Sequence, residues 1–142
     1  PTTHRNPMIT YRRLQRSEQE RFAEVDRSER ITQAYRQHGR ELELVAVDWH
    51  AGPWSWPAIL REWAPFLQDD CVLWGAFDGD ALIGFCGYRP NVAPGTGQFA
   101  LLHVSNQYRG RGIGRRLAEA LFAYAHAQGT TALYVTATPT RN

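Results

Sequence analysis

With 142 residues, 43% of them apolar, the chain has the length and composition of one domain able to bury a real core. Its formal charge of +2 does not point to a nucleic-acid partner, and all sixteen basic residues are arginine, which excludes chemistry that needs a lysine. No apolar run approaches the ~20 residues needed to cross a bilayer, and no signal-peptide pattern precedes Met8, so a cytoplasmic protein without a membrane partner is expected.

Residues 1–7 read as a tag remnant or frayed tail, which leaves a domain of residues 8–142. Residues 8–14 read as a first strand. Ser17 with Glu20 has the spacing of a capping box, opening a helix to about Val25. A second helix is expected from Ser28 or Glu29 to His38, stopped by Gly39. Residues 41–49 alternate as a strand, the segment 53–57 breaks it at its prolines, and residues 56–67 read as a short helix despite Pro65.

Residues 71–77 and 81–88 form an antiparallel hairpin around Asp78 and Gly79. If those two residues make a tight turn, Cys71 faces Cys86 across the hairpin, as neighbouring free thiols with no metal-site spacing. Residues 90–97 read as a loop and 98–104 as a further strand. Ile113, Leu117, Leu121 and Tyr124 recur at helical spacing until Gly129, and residues 131–136 read as a β-branched final strand. The layout is α+β: a mixed, mostly antiparallel central sheet flanked by helices, with one crossover helix making the last two strands parallel.

The densest functional signal lies between that strand and that helix, in Arg109, Gly110, Arg111, Gly112, Ile113 and Gly114. A strand, a glycine-rich turn and a helix start together make a cradle for a diphosphate. A Walker loop requires its lysine, and a dinucleotide fingerprint counted from Gly110 requires a glycine where Arg115 stands, so neither fits. A fragment of a disordered RNA-binding tract is disfavoured, because the R-G-R-G string occurs once and runs directly into helical periodicity.

Arg109, Gly112 and Gly114 match [RQ]-x-x-G-x-[GA], and with Leu102, His103 and Val104 before them and Ile113 to Leu117 after them the stretch resembles the acyl-CoA signature of the GCN5-related N-acetyltransferase (GNAT) superfamily. The resemblance implies an acetyl-CoA co-substrate, no metal, and transfer of an acetyl group to a primary amine of a small molecule or protein. It implies that Leu102 and Val104, beside His103, use backbone groups to bond pantetheine amides, and that Arg109 to Gly114 wrap the pyrophosphate with charge added by Arg111 and Arg115. It assigns Asn142 to the pantetheine arm and the end of the chain to the entry of a C-terminal segment, so that the fold is C-terminally incomplete and lacks the tyrosine that serves relatives as acid.

Amine acetylation also needs the acceptor deprotonated. The family's strand bases fall at Gln98 and Ala100, neither of which takes a proton, so no catalytic residue is assigned and a water relay or a residue from elsewhere is left to do it. Alternation puts His103 on the opposite face from these two, as a packed histidine, with His50 in a loop and His126 on the crossover helix. Trp49, Trp54, Trp56 and Trp63 read as core anchors or an acceptor pocket, and Glu41, Glu43 and Asp48 as solvent-facing charges or a lure for a cationic amine. The alternative function is a non-catalytic acyl-CoA-binding module. An open sheet edge would also permit a homodimer.

Overall fold

The computed structural model describes residues 8–52, 55–135 and 140–141. A five-stranded sheet runs in the order β1 (Ile9–Leu14), β4 (Val72–Asp78), β5 (Ala81–Ala93), β6 (Thr96–Val104) and β7 (Ala132–Val135). All its pairings are antiparallel except the last, where β6 and β7 run parallel across the helix α2 (Ile113–Ala127), as the crossover pattern requires. A smaller sheet has the order β3 (Glu41–Ala51), β2 (Glu29–His38) and β8 (Thr140–Arg141).

Strand β4 is apolar almost throughout because both faces of the large sheet are covered. On one face Leu73, Phe77, Leu82 and Phe85 pack with Leu14, with Phe22 of a 3-10 helix (Arg16–Glu24) and with Ile59 and Trp63 of α1 (Trp56–Trp63). On the other, Val72, Ala76, Ile83 and Cys86 meet Ile113, Leu117, Leu121 and Ala125, the buried stripe of α2. Pro65 ends α1 in a 3-10 turn (Ala64–Phe66), so the helix expected over residues 56–67 is present in two pieces.

Several expectations are corrected. The first helix is 3-10 and is capped at Gln15, two residues before Ser17. Its start is held by Gln15, whose N–H donates to the Glu18 carboxylate at 3.0 Å, and not by a Ser17–Glu20 box. The second helix does not form, because residues 29–38 pair with β3 and Gly39, at φ +59°, is the hairpin turn and not a helix stop. Propensity yields here to the ladder that β3 offers. In this hairpin Tyr35 lies opposite Leu44 and Ile31 opposite Trp49, all on one face with Leu42.

Cys71 and Cys86 do not face each other. The β4–β5 turn is Gly79-Asp80, and a bulge at Ile83 moves the register a further step, so Cys86 lies opposite Trp74. Both thiols are free and buried. The expected loop over residues 90–97 is mostly strand: β5 continues to Ala93, and a turn at Pro94-Gly95 starts β6 at Thr96. His50 stands on β3, not in a loop. Trp54, Asn142 and residues 1–7 lie outside the described residues.

Candidate active site

Strand β6 pairs with β7 only from Thr96 to Phe99, so past Phe99 its outer edge has no strand partner among the described residues. Within the same stretch the ladder to β5 skips: Ala100 lies opposite Gly87 and His103 opposite Phe85, leaving Leu101 and Leu102 against the single residue Cys86. Leu101 takes φ +60°, a left-handed conformation unusual for leucine, and marks a β-bulge.

The bulge reverses the alternation. Phe99 packs on Phe122 of α2, yet two residues past the extra position it is Leu102 and Val104 that lie against Gly114 of the same helix. Leu101 packs in the opposite layer, and the His103 ring stacks on Trp63 at 5.5 Å and leans on Phe85. His103 therefore shares a face with Gln98 and Ala100, contrary to strict alternation, although it is packed as expected. Burial, with Arg27 and Arg109 nearby, pushes its pKa down to about 3, so the imidazole is neutral at physiological pH.

Beside the bulge lies a cavity of about 570 Å³. Ala100, Leu101, Leu102 and His103 form one wall, Trp63 and Phe66 another, and Arg27 and Glu62 bring the charges. Arg27 is half-buried with its guanidinium 4.5 Å over the Trp63 ring, and burial lowers its pKa. Its loop is pinned to the end of β6: the Asp26 N–H donates to the Ser105 hydroxyl at 2.9 Å, and the Asn106 N–H donates to the Asp26 carbonyl at 3.0 Å. Sequence reading missed Arg27, Glu62 and Ser105. Only Ser105 left a trace there, as a lone small polar residue closing an apolar strand.

The glycine-rich turn begins after a 3-10 turn (Asn106–Tyr108). Gly110 and Gly112 have φ of +76° and +78°, and a Cβ at either would meet nothing within 4 Å, so backbone conformation and not crowding demands glycine. Gly112 caps α2 with no side-chain hydrogen bond, which leaves the first N–H groups, those of Ile113, Gly114 and Arg115, without intrahelical acceptors. A Cβ at Gly114 would touch Leu102 and Val104 at 3.7 Å, ordinary contact, which is why the pattern tolerates alanine there.

The arginines of this turn have separate placements. Arg109 folds back, its Nε donating to the Val104 carbonyl at 3.4 Å, while Arg111 lies over the Tyr108 ring and the Tyr108 hydroxyl donates to Asp78. Arg115 is exposed and pairs with Glu119 at 3.1 Å. The turn thus offers an anion open backbone donors with positive charge around them. Diphosphate-bearing acetyl-CoA fits this donor set, and its extended arm fits the edge of β6 that has no strand partner among the described residues.

Among the described residues no three His, Cys, Asp or Glu side chains gather as a metal-binding group, and no helix is long and apolar enough to cross a membrane. On the small sheet Arg30 pairs with Asp48, the His38 ring lies within hydrogen-bond distance of Glu43, and Trp49 is half exposed. Trp63, by contrast, is 4% exposed and anchors the core.

A family model described as "Acetyltransferase (GNAT) family" matches residues 33–142. Among solved structures the chain is similar to a Bacillus anthracis str. Ames protein assigned as a streptothricin acetyltransferase and determined with acetyl coenzyme A, at 18% identity and TM-score 0.68, covering 89% of this chain and 73% of that one. A nourseothricin acetyltransferase is similar at 19% identity and TM-score 0.71, covering 89% and 72%. The ribosomal-protein-S18-alanine N-acetyltransferase of Escherichia coli is similar at 16% identity and TM-score 0.62, covering 90% and 66%. No curated protein matches the sequence.

Proposed function

The chain belongs to the GNAT acetyltransferase family, and on that premise we propose that residues 8–142 form an N-acetyltransferase domain that acetylates a primary amine of a small molecule or protein. The observation that carries this reading is the junction of a helix start without a side-chain cap, a left-handed glycine turn and a strand edge that has no partner among the described residues, beside one cavity.

When bound, acetyl-CoA supplies the thioester, whose carbonyl carbon would accept the amine as its C–S bond breaks and the CoA thiolate leaves to take a proton from solvent. The N–H groups from Gly110 to Arg115 hold its pyrophosphate, with Arg111 and Arg115 adding charge. The backbones of Leu102 and Val104 take its pantetheine amides as a further strand would. The bulge, where Leu101 and Leu102 share one partner residue on β5, is where backbone donors would polarise the acetyl carbonyl.

His103 is too weak a base to take the ammonium proton. Deprotonation falls instead to water in the cavity, with Glu62 on its exposed rim as the carboxylate that passes the proton to solvent. Calorimetric titration with acetyl-CoA, followed by thiol release in the presence of an amine panel, tests the proposal. Binding with turnover supports it, and absence of binding refutes it. Gln98 and Ala100, which cannot act as bases, favour a second reading as a non-catalytic acyl-CoA-binding module, and turnover of any amine would dismiss that reading.

A further inference from the structure

Packing at the two left-handed glycines does not fix the glycine-rich turn, because a Cβ at Gly110 or Gly112 would meet nothing within 4 Å. Its flanks have to place it. On one side Ile113 is buried at the start of α2. On the other, Arg109 folds back onto the Val104 carbonyl, and before it stands Tyr108. The Tyr108 N–H donates to the Ser105 carbonyl at 2.8 Å, and its ring packs against the core between α2 and the large sheet.

The Tyr108 hydroxyl donates to the Asp78 carboxylate, 30 residues away, and this hydrogen bond raises the tyrosine's pKa, so the hydroxyl stays protonated as a donor. Asp78 can reach it because alternation sets residues 72, 74, 76 and 78 on the face of β4 that α2 covers, and Asp78 is the last of them, opposite Ile9. Over the same ring lies the Arg111 guanidinium, 5.3 Å from its centre. A chain of contacts therefore runs from the end of β4 through one ring to an arginine of the turn. A carboxylate beside an anion-binding turn opposes the ligand by its charge alone, and what this one contributes is its hold on Tyr108.

We propose that Asp78 and Tyr108 are positioning residues of the diphosphate cradle. The carboxylate fixes the ring, and the ring sets the Arg111 guanidinium and the backbone of residues 110–112 where one diphosphate meets them together. A turn ordered beforehand spares the ligand the free energy of ordering it. This inference rests on the acetyltransferase reading and deepens it at the co-substrate.

The test is calorimetric titration with acetyl-CoA and with 3′-phospho-ADP, the nucleotide half of CoA without its pantetheine arm, on variants shown folded by circular dichroism. Tyr108→Phe keeps the ring under Arg111 and removes only the hydroxyl. It should weaken both ligands by the same factor, about tenfold, the value of a hydrogen bond to a charged group. Asp78→Ala should also weaken both, although loss of a negative charge by itself would tighten them, and Asp78→Asn, whose amide oxygen still accepts, should recover most of the affinity. In the Asp78→Ala background Tyr108→Phe should have no further effect. Should Asp78→Ala not fold, Tyr108→Phe carries the test alone.

Unchanged affinities in Tyr108→Phe, tighter binding in Asp78→Ala, no recovery in Asp78→Asn, or additive losses in the double variant overturn the inference. So does weaker acetyl-CoA binding with 3′-phospho-ADP affinity kept, or an unaltered protein that binds acetyl-CoA and not 3′-phospho-ADP. In each of these cases acetyl-CoA binding by the unaltered protein upholds the reading beneath. Absence of that binding overturns both.

Discussion

The Ser105 hydroxyl accepts a hydrogen bond from the Asp26 N–H at 2.9 Å, joining positions 79 residues apart. Ser105 is 6% exposed, and its own N–H donates to the Ile83 carbonyl at 2.7 Å. One buried hydroxyl therefore ties the loop bearing Arg27 to the strand that frames the cavity. Ser105→Ala should cost about 1–2 kcal/mol, because the Asp26 N–H loses its acceptor. It should also raise the KM of the acceptor more than that of acetyl-CoA. Thermal unfolding and steady-state kinetics check the two parts, and an equal rise in both KM values would contradict the staple's proposed role.

Gly112 tests the cradle. Gly112→Ala should lower stability by about 1 kcal/mol, since the new side chain meets no neighbour and only the left-handed backbone penalises it. Gly112→Asp should be similarly stable but should abolish acetyl-CoA binding by setting a carboxylate where the pyrophosphate belongs. Calorimetry on both variants, each shown folded by circular dichroism, separates the effects.

Acid sensitivity should trace to His103. Its folded pKa, about 3, lies below the usual 6.5, so the unfolded chain binds the proton first. Stability is complete above pH 6.5 and falls as pH drops from 6.5 toward 3, by an amount on the order of a few kcal/mol. Glu18, held down to about 2 mainly by its hydrogen bonds from Arg12, acts only below about pH 4.5. His103→Phe, which keeps a ring between Trp63 and Phe85, should narrow the gap in Tm between pH 7 and pH 5. An unchanged gap would mean that His103 is not the group responsible.

Glu62→Gln should lower kcat by roughly a hundredfold if the carboxylate relays the ammonium proton. Acetyl-CoA affinity should stay as it was, and rates should recover as pH is raised and free amine becomes abundant. A kcat within twofold of the parent across the pH range would remove Glu62 from the relay.

The thiols should be silent. Burial pushes the Cys86 thiol up to about 12 and raises that of Cys71 as well, so the folded protein should react slowly with a disulfide reagent and rapidly once denatured. Fast labelling of the native protein would contradict the buried placement.

What was legible in the sequence was local. The periodicity of residues 113–127 and the hairpin of β4 and β5 follow from side-chain spacing alone, and Gly110 and Gly112 announce a backbone that only glycine adopts readily. The errors were also physical. Residues 29–38 carry no strong strand pattern and become a strand because β3 supplies partners. The bulges at Ile83 and Leu101 each insert a residue that composition does not mark, and each shift moves every later side chain across the sheet or along it.

The sequence by itself determined the family resemblance and the anion-binding turn, because both reside in contiguous residues whose backbone conformations are set by their own chemistry. Only the tertiary structure decided which face His103 occupies, that Cys86 meets Trp74, and that Arg27 and Glu62 share a cavity with the bulge of β6. These relationships join distant segments through register and packing, where one inserted residue or one buried hydroxyl such as that of Ser105 changes the outcome and leaves no periodic signal in the chain.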